Sequence, residues 1–156
     1  MNLSQVEADR LLHLPKTFAA SVNEIDFSIS VPFKRNYDLF EIDGREKFLL
    51  DLERSRIRTA KLKIQTRARG VFVLARLDID GTPHPNPPNS IHRPGERLVG
   101  THIHLYHEGF ADRIAYLPQD VPAFASLTST DDLDWLVAFL RFSGVQTFPQ
   151  IQRVIV

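Results

Sequence analysis

Two segments of alternating hydrophobicity, joined by a glycine turn, constrain the fold of this chain more than any other feature. Residues 60–68 and 71–79 place an apolar side chain at nearly every second position, and Arg69-Gly70 lies between them. A period of two is typical of a half-buried strand, so the pair predicts an antiparallel hairpin. With a two-residue turn, Thr66 would face Val73, and the apolar side chains of both strands would share one face.

Turn and cap signals place further elements around this hairpin. Asp43-Gly44 predicts a second strand turn, and Ser4 followed by Glu7 predicts the start of an N-terminal helix. A late helix is indicated by the apolar stripe within 133–140, with Gly144 as its C-terminal cap. We therefore expect an α+β fold, a largely antiparallel sheet of about six or seven strands with an N-terminal and a C-terminal helix packed on it.

Length and composition bound the remaining possibilities. The 156 residues fit a single domain, 1–156, and the chain contains no cysteine for a disulfide or a thiolate metal site. No apolar run is long enough to cross a bilayer, and the N-terminus lacks the apolar segment of a secretory signal. We expect a cytoplasmic protein with no membrane partner.

Charge is balanced overall but unevenly distributed along the chain. The net charge is zero, yet residues 54–69 hold seven basic residues and no acid. Same-face side chains on a strand repeat every roughly 6.8 Å, so cations on the non-core face of the hairpin would form a ladder. Such a ladder beside the aromatic Phe72 is typical of a track for single-stranded nucleic acid, with RNA as the partner. The predicted nucleic-acid-binding residues are Lys61, Lys63, Arg67 and Arg76.

Two simpler interpretations of these charges stay open. The basic strand fits an ordinary solvated face on which Lys61 pairs across the hairpin with Asp78. Residues 105–140 hold six acids and one basic residue, Arg113. The acidic and basic regions therefore also fit complementary docking surfaces for another protein or a second copy of the chain. This alternative is a non-enzymatic interaction module, an inhibitor or a regulator.

The segment THIHLYH, residues 101–107, carries the residues best suited to chemistry. On a strand, His102, His104 and Tyr106 would point to one side, and Ile103 and Leu105 to the other. Because the two aliphatic residues suit the core, we expect the three polar aromatic side chains to face solvent or a cleft.

One hypothesis for this face is metal-independent acid–base chemistry on RNA. Phosphodiester cleavage needs a base, an acid and a cation for the developing charge. His102 and His104 can supply the first two, with Tyr106 as an orienting donor and Arg113 or Arg76 as the cation. Histidine titrates near neutral pH, so it suits either proton role, and no cofactor is required.

The competing hypotheses are a metal site and an ordinary surface. Two histidines at positions i and i+2 can share one ion, zinc being the candidate, if His84, His92, Asp78 or Glu108 supplies a third ligand. Alternatively, a strand face of histidine and tyrosine only contacts another protein or another part of the chain. The residues alone leave all three hypotheses open.

The segment 83–99 links the hairpin to the histidine strand. Its five prolines prevent regular pairing, so we expect an irregular loop that borders the functional surface. His84 follows Asp80-Gly81 at the end of a strand and is a possible additional member of the site, as is Asp78.

Three blocks of the chain carry a resemblance to a known family. REKFLLDLERSRI, RLDIDGTPHPNP and GTHIHLYHEGFADRIAYLP, with the opening LSQVEADRLL, resemble an uncharacterised family of small bacterial and phage proteins with RLDI-G-PH-NP and HxHxY-EG motifs. The family usually has a basic residue in place of His107 and an aromatic one in place of Ile114. The resemblance implies an accessory protein of a bacterial mobile element or phage, and it assigns no catalytic residue.

Overall fold

The computed structural model describes residues 2–28 and 31–154. The helices are α1 (Gln5–His13), α2 (Pro122–Ala125) and α3 (Asp132–Phe142), with a 3₁₀ turn at Pro118–Asp120. The strands are β1 (Lys16–Phe18), β2 (Glu24–Ser28), β3 (Phe33–Glu41), β4 (Lys47–Arg54), β5 (Leu62–Ala68), β6 (Phe72–Ile79), β7 (His84–Pro85), β8 (Arg97–Leu98), β9 (His102–His107), β10 (Ala111–Tyr116) and β11 (Gln150–Val154).

A seven-stranded antiparallel sheet organises the chain. Its strand order is β1-β3-β4-β5-β6-β9-β10. From β3 to β6, strands that are consecutive in the sequence are also neighbours in the sheet. Leu11 of α1 and Phe139 of α3 are buried in the same core as Leu50, Ile64 and Leu77 of the sheet. The predicted α+β fold with helices from both ends of the sequence is confirmed. No helix in residues 2–28 and 31–154 is long and apolar enough to cross a membrane.

The predicted hairpin of β5 and β6 is present, but the predicted register is wrong by two residues. Thr66 pairs with Ala75 and not with Val73. One residue of the shift comes from the turn, which spans residues 69–71, so that Ala68 pairs with Phe72. The second comes from a β-bulge after the Arg67 pair, where the β6 strand carries one extra residue.

Together the two shifts leave the β6 side chains beyond the bulge on the faces that the alternation predicts. A shift of one residue would move every side chain of β6 to the other face, whereas a shift of two restores the original faces. Leu77 and Ile79 therefore lie in the core as predicted, and Arg76 and Asp78 lie on the opposite, polar face. This polar face of the sheet carries the candidate site.

The ends of α1 and α3 are held together by one buried lysine. The Lys16 side chain is 1% exposed, and its Nζ donates to the backbone oxygens of Leu12, Leu14 and Ser143 at 2.7, 3.0 and 2.6 Å. Carbonyls at helix C-termini lack partners within the helix, so an ammonium there satisfies several at once. Burial lowers the pKa of Lys16 to about 7, against the opposing charge of Glu41.

The loop 83–99 lies over β10 and β9. Apart from the two-residue pair of β7 and β8 it has no regular structure, as its prolines predict. Asn86 fixes it, because the side-chain amide donates to Ala115 O at 3.0 Å and accepts from Ala115 N at 2.8 Å. As expected, the loop lies on the side of the sheet to which His102 and His104 point, since the His84 ring contacts both.

Candidate functional site

The two histidines of β9 lie beside two charged residues of β6. Asp78 is the cross-strand partner of His102, and Arg76 is the partner of His104, so all four side chains share one face. The two imidazoles are 0% and 1% exposed, which excludes solvent from the two environments expected for them, solvent and a cleft. The reason is the loop 83–99, which brings His84 over them. These five residues are called the histidine cluster below.

Three potential ligand atoms converge inside the cluster. Asp78 Oδ2 lies 3.4 Å from His102 Nε2 and 3.4 Å from His104 Nε2. All three atoms lie within 4.8 Å of one another. A carboxylate oxygen and two imidazole nitrogens form a set that divalent transition metals bind.

Backbone carbonyls fix the orientation of both rings. His104 Nδ1 lies 2.8 Å from Asp112 O, and His102 Nδ1 lies 2.8 Å from Gly100 O. A carbonyl oxygen only accepts, so each Nδ1 carries the hydrogen. His104 Nε2 lies 2.9 Å from Arg76 Nη2, and a guanidinium only donates. His104 is therefore a neutral ring whose Nε2 lone pair faces the interior of the cluster.

Arg76 supplies the positive charge of the cluster. Its guanidinium donates to both carboxylate oxygens of Asp78, at 2.9 and 3.0 Å, and to Asp112 Oδ2 at 3.2 Å. Burial raises the pKa of Asp78, whereas the hydrogen bonds and the positive charge of Arg76 lower it, and the net effect holds the pKa well below its usual range. Asp78 is therefore a carboxylate throughout the physiological pH range.

One nitrogen of the cluster has no hydrogen-bond partner. His102 Nε2 is fully buried and, across residues 2–28 and 31–154, makes no hydrogen bond. It points towards Asp78 Oδ2 at 3.4 Å without the alignment that a hydrogen bond requires. Buried polar atoms nearly always find a partner, so an unpartnered nitrogen in this position indicates a ligand.

His84 is the most accessible histidine of the cluster. Its ring centre lies 4.6 Å from that of His104 and 6.0 Å from that of His102, and its Nε2 donates to the Arg113 carbonyl at 2.7 Å. Burial lowers the pKa of His84 below its ordinary value. The half-buried ring thus covers the two buried ones.

Two residues that the sequence grouped with the histidines lie elsewhere. The Tyr106 hydroxyl contacts the backbone of Leu3 at 2.9 Å and packs in the core, at the far end of β9 from His102. The Arg113 guanidinium donates to the carbonyls of Phe110 and Gly109 in its own turn. Only the backbone of Arg113 reaches the cluster. The alternative metal ligands His92 and Glu108 contact Asp120 and Gln5, outside the cluster.

The predicted cation ladder is largely a set of ion pairs. Lys63 lies 3.2 Å from Glu53, and Arg67 makes a two-pronged pair with Asp51 at 2.6 and 2.9 Å. Lys61 donates to Thr82 and not to Asp78 as the simpler interpretation proposed. Phe72 pairs with the buried Ala68 and packs edge-on against Tyr106, so it lies on the core side of the sheet and not beside the cations.

The acids of the late segment are also paired within the chain. Asp112 contacts Arg76, Asp120 contacts Arg93, and Asp131 contacts Arg153. Asp132 pairs with the buried Arg54 at 2.8 Å. Because these acids have internal partners, the described residues offer no observation that favours an acidic docking surface.

A basic groove borders the histidine cluster. It has a volume of about 630 Å³, and its lining includes the cations of Lys34, Arg56, Lys61, Lys63 and Arg76, the acids Glu53 and Asp78, and the aromatic ring of Phe33. In the described part of the chain, Lys34 and Arg56 are exposed and have no acidic partner. Arg76 and Asp78 belong to both the groove and the cluster.

Sequence reasoning missed two residues that shape the cluster. Asp112 bonds Arg76 through its carboxylate and His104 through its carbonyl, a position that depends on the register irregularity of β10. Gly81 lies so close that a β-carbon there would be 2.9 Å from Asp78 Cβ and 3.2 Å from His102 Cε1. Asp-Gly at the end of a strand is an ordinary turn dipeptide, and no local pattern distinguishes a turn glycine from a packing glycine.

Comparison with known proteins places the chain in a family. The family model described as "Family of unknown function (DUF6978)" matches residues 3–145. The chain belongs to this family. The match confirms the resemblance to an uncharacterised family and covers the whole histidine cluster. Neither the curated proteins nor the solved structures include a significant match to the chain.

Proposed function

We propose that this protein is a cytoplasmic RNA-binding protein that holds a single-stranded phosphodiester backbone in the basic groove. The observation that supports it is the position of Arg76 and Asp78, which line the groove and contact the buried histidines. A ligand in the groove therefore meets the cluster directly.

The groove has the chemistry of a phosphate site. Phosphates are bound by lysine and arginine side chains, and stacking on an aromatic ring holds bases without sequence preference. Lys34 and Arg56 are the cations available to new anions, since Lys63 is already paired with Glu53. Phe33 supplies an aromatic ring in place of the predicted Phe72.

The geometry supports direct acid–base catalysis by the two buried histidines less well than it supports binding. Each Nδ1 is bonded to a carbonyl, and His104 Nε2 accepts from Arg76. Rings that are almost fully buried and bonded in this way have no free path for proton exchange with a ribose hydroxyl. Binding in the groove requires no such exchange.

The biological setting that we propose is a bacterial mobile element or phage. It follows from the sequence resemblance alone, and the shared family has no assigned function. A small RNA-binding accessory protein fits such a setting.

Binding of a fluorescent single-stranded RNA at several salt concentrations tests the proposal. The double variant Lys34→Ala with Arg56→Ala should weaken binding and reduce the slope of log affinity against log salt by about 1.4, because two phosphate contacts are lost. A matched control is Arg45→Ala with Lys47→Ala, two exposed cations at the opposite end of the β3–β4 hairpin. Equal losses in both double variants, or no binding at low salt, would refute the groove.

A further inference from the structure

We infer that Asp78, His102 and His104 bind one divalent transition-metal ion, of which zinc is the first candidate. The inference rests on the histidine cluster and is independent of RNA binding in the groove. Three protein ligands leave a coordination position for water or a substrate oxygen, the arrangement of a catalytic rather than a structural zinc site.

The separation of Asp78 Oδ2 from each histidine nitrogen suits such an ion. Around a tetrahedral ion with bonds of about 2.0–2.1 Å, two ligand atoms lie roughly 3.3–3.4 Å apart. Asp78 Oδ2 lies 3.4 Å from Nε2 of each histidine. An ordinary hydrogen bond between the same groups would be shorter, at about 2.7–3.2 Å.

The outer contacts of the histidines are those of metal ligands. A metal-binding imidazole typically donates its second ring N–H to a carbonyl or carboxylate, which fixes the ring and directs the lone pair of the other nitrogen at the ion. His102 does this through Gly100 O and His104 through Asp112 O, each at 2.8 Å. The Nε2 lone pairs of both rings then lie on the side of Asp78, where that of His104 accepts from Arg76.

The unpartnered nitrogen provides a second, independent observation. His102 Nε2 is buried and makes no hydrogen bond within the described residues. In the neutral ring this nitrogen and Asp78 Oδ2 are two acceptors 3.4 Å apart. A cation between the two atoms converts this unfavourable contact into two bonds.

Arg76 is the competitor for this position. Its Nη2 lies 2.9 Å from His104 Nε2 and 3.0 Å from Asp78 Oδ2, so a positive charge already occupies part of the site. Asp112 Oδ2 lies 3.2 Å from Nη1. The guanidinium therefore keeps one carboxylate partner when Nη2 moves away from the two ligand atoms. The site therefore exchanges one cation for another.

The nature of the ligands selects the metal. Two nitrogens and one oxygen favour zinc and other first-row divalent ions over calcium or magnesium, which prefer oxygen ligands. Since the chain has no cysteine, thiolates do not contribute to the binding.

Metal titration of the protein after dialysis against a chelator tests the inference. We expect one equivalent of Zn²⁺ or Co²⁺ per chain, and an increase in the melting temperature with zinc, since an ion bound only by the folded state stabilises it. His102→Gln and Asp78→Asn should each lower the affinity by at least about 100-fold, while His13→Ala, which removes an exposed histidine, should change nothing. Arg76→Met should raise the affinity about tenfold or more, because a unit charge beside the ion is removed.

Nuclear magnetic resonance of the wild-type imidazoles supplies a readout that needs no variant to fold. Zinc should shift the Nε2 signals of two of the six histidines, and the Nδ1–H signals of the same two rings should persist. Binding of the same strength in wild type and His102→Gln, a loss in His13→Ala, or zinc shifts spread over the exposed histidines would overturn the inference.

Discussion

Gly81 lies so close to the histidine cluster that no side chain fits at this position. A β-carbon would lie 2.9 Å from Asp78 Cβ and 3.2 Å from His102 Cε1. Gly81→Ala should therefore displace one of the two ligands and lower the free energy of unfolding by about 1–3 kcal/mol. Chemical denaturation measures the stability, and zinc titration measures the displaced ligand.

Gly44→Ala is the matched control for this change. The nearest atoms to a β-carbon at Gly44 belong to the Glu41 side chain, which can rotate away. Rotation gives up the hydrogen bond from Glu46 N to Glu41 Oε2, so this variant should lose some stability but retain the zinc binding of the wild type. If Gly81→Ala also retains the zinc binding of the wild type, zinc binding does not depend on the exact positions of Asp78 and His102.

At the scale of single residues, the sequence predicted which residues carry the chemistry better than it predicted which residues contact one another. The alternation in THIHLYH placed His102 and His104 on one face, and the hairpin pattern placed Asp78 and Arg76 on a face of their own. The alternation also grouped Tyr106 with the histidines, but its hydroxyl bonds Leu3 in the core, a residue 103 positions away. Contacts of that sequence separation leave no trace in a local pattern.

The loop 83–99 is the element that covers the histidines. Asn86 is 3% exposed and bonds both backbone groups of Ala115. Asn86→Ala leaves these buried groups unpaired and should lower the free energy of unfolding by about 2–3 kcal/mol. Hydrogen exchange at the Ala115 amide should accelerate, because its acceptor is lost. Asn89→Ala, at an exposed position in the same loop, should leave the exchange rate unchanged; equal acceleration in both variants would contradict the anchor.

The strand pairs show why faces are easier to predict than partners. The alternating pattern determines which side of β5 and β6 is buried, and a slip of two residues preserves that outcome. The partners depend on the turn and the bulge, so Lys63 faces Asp78 where Arg76 was expected. Ion pairs with the neighbouring β4, such as that of Arg67 with Asp51, follow from a third register that no turn signal specifies.

At the scale of the whole molecule, Lys16 connects the C-terminal ends of α1 and α3. A folded-state pKa of about 7 lies below the ordinary lysine value of 10.5, so between these pH values the unfolded chain binds a proton that the folded chain does not. The free energy of unfolding should therefore rise with pH from about 7 to 10.5, by at most about 1.4 kcal/mol per pH unit, and be flat below 7.

Urea denaturation of wild type and Lys16→Met across pH 6 to 10 measures this contribution as a difference. Groups that titrate in both proteins cancel, which leaves the lysine. A difference that does not depend on pH would show that the carbonyls of Leu12, Leu14 and Ser143 keep the ammonium charged.

Although the net charge of the molecule is zero, its charged side chains differ in whether they have a partner of opposite charge. Most of its acids are paired with nearby cations, whereas Lys34 and Arg56 are left at the groove without acidic partners in the described residues. The groove and the cluster are joined by Arg76 and Asp78. The account therefore predicts one continuous site and not two separate ones.

Nuclear magnetic resonance with a short single-stranded RNA tests this continuity most directly. Added RNA should shift the Arg76 Nε–H and the ring signals of His104 together with the backbone amides of Lys61 and Lys63, because all of them lie in or next to the groove. Shifts confined to residues away from the groove, or shifts of the groove amides without any change at Arg76 and His104, would contradict the single site.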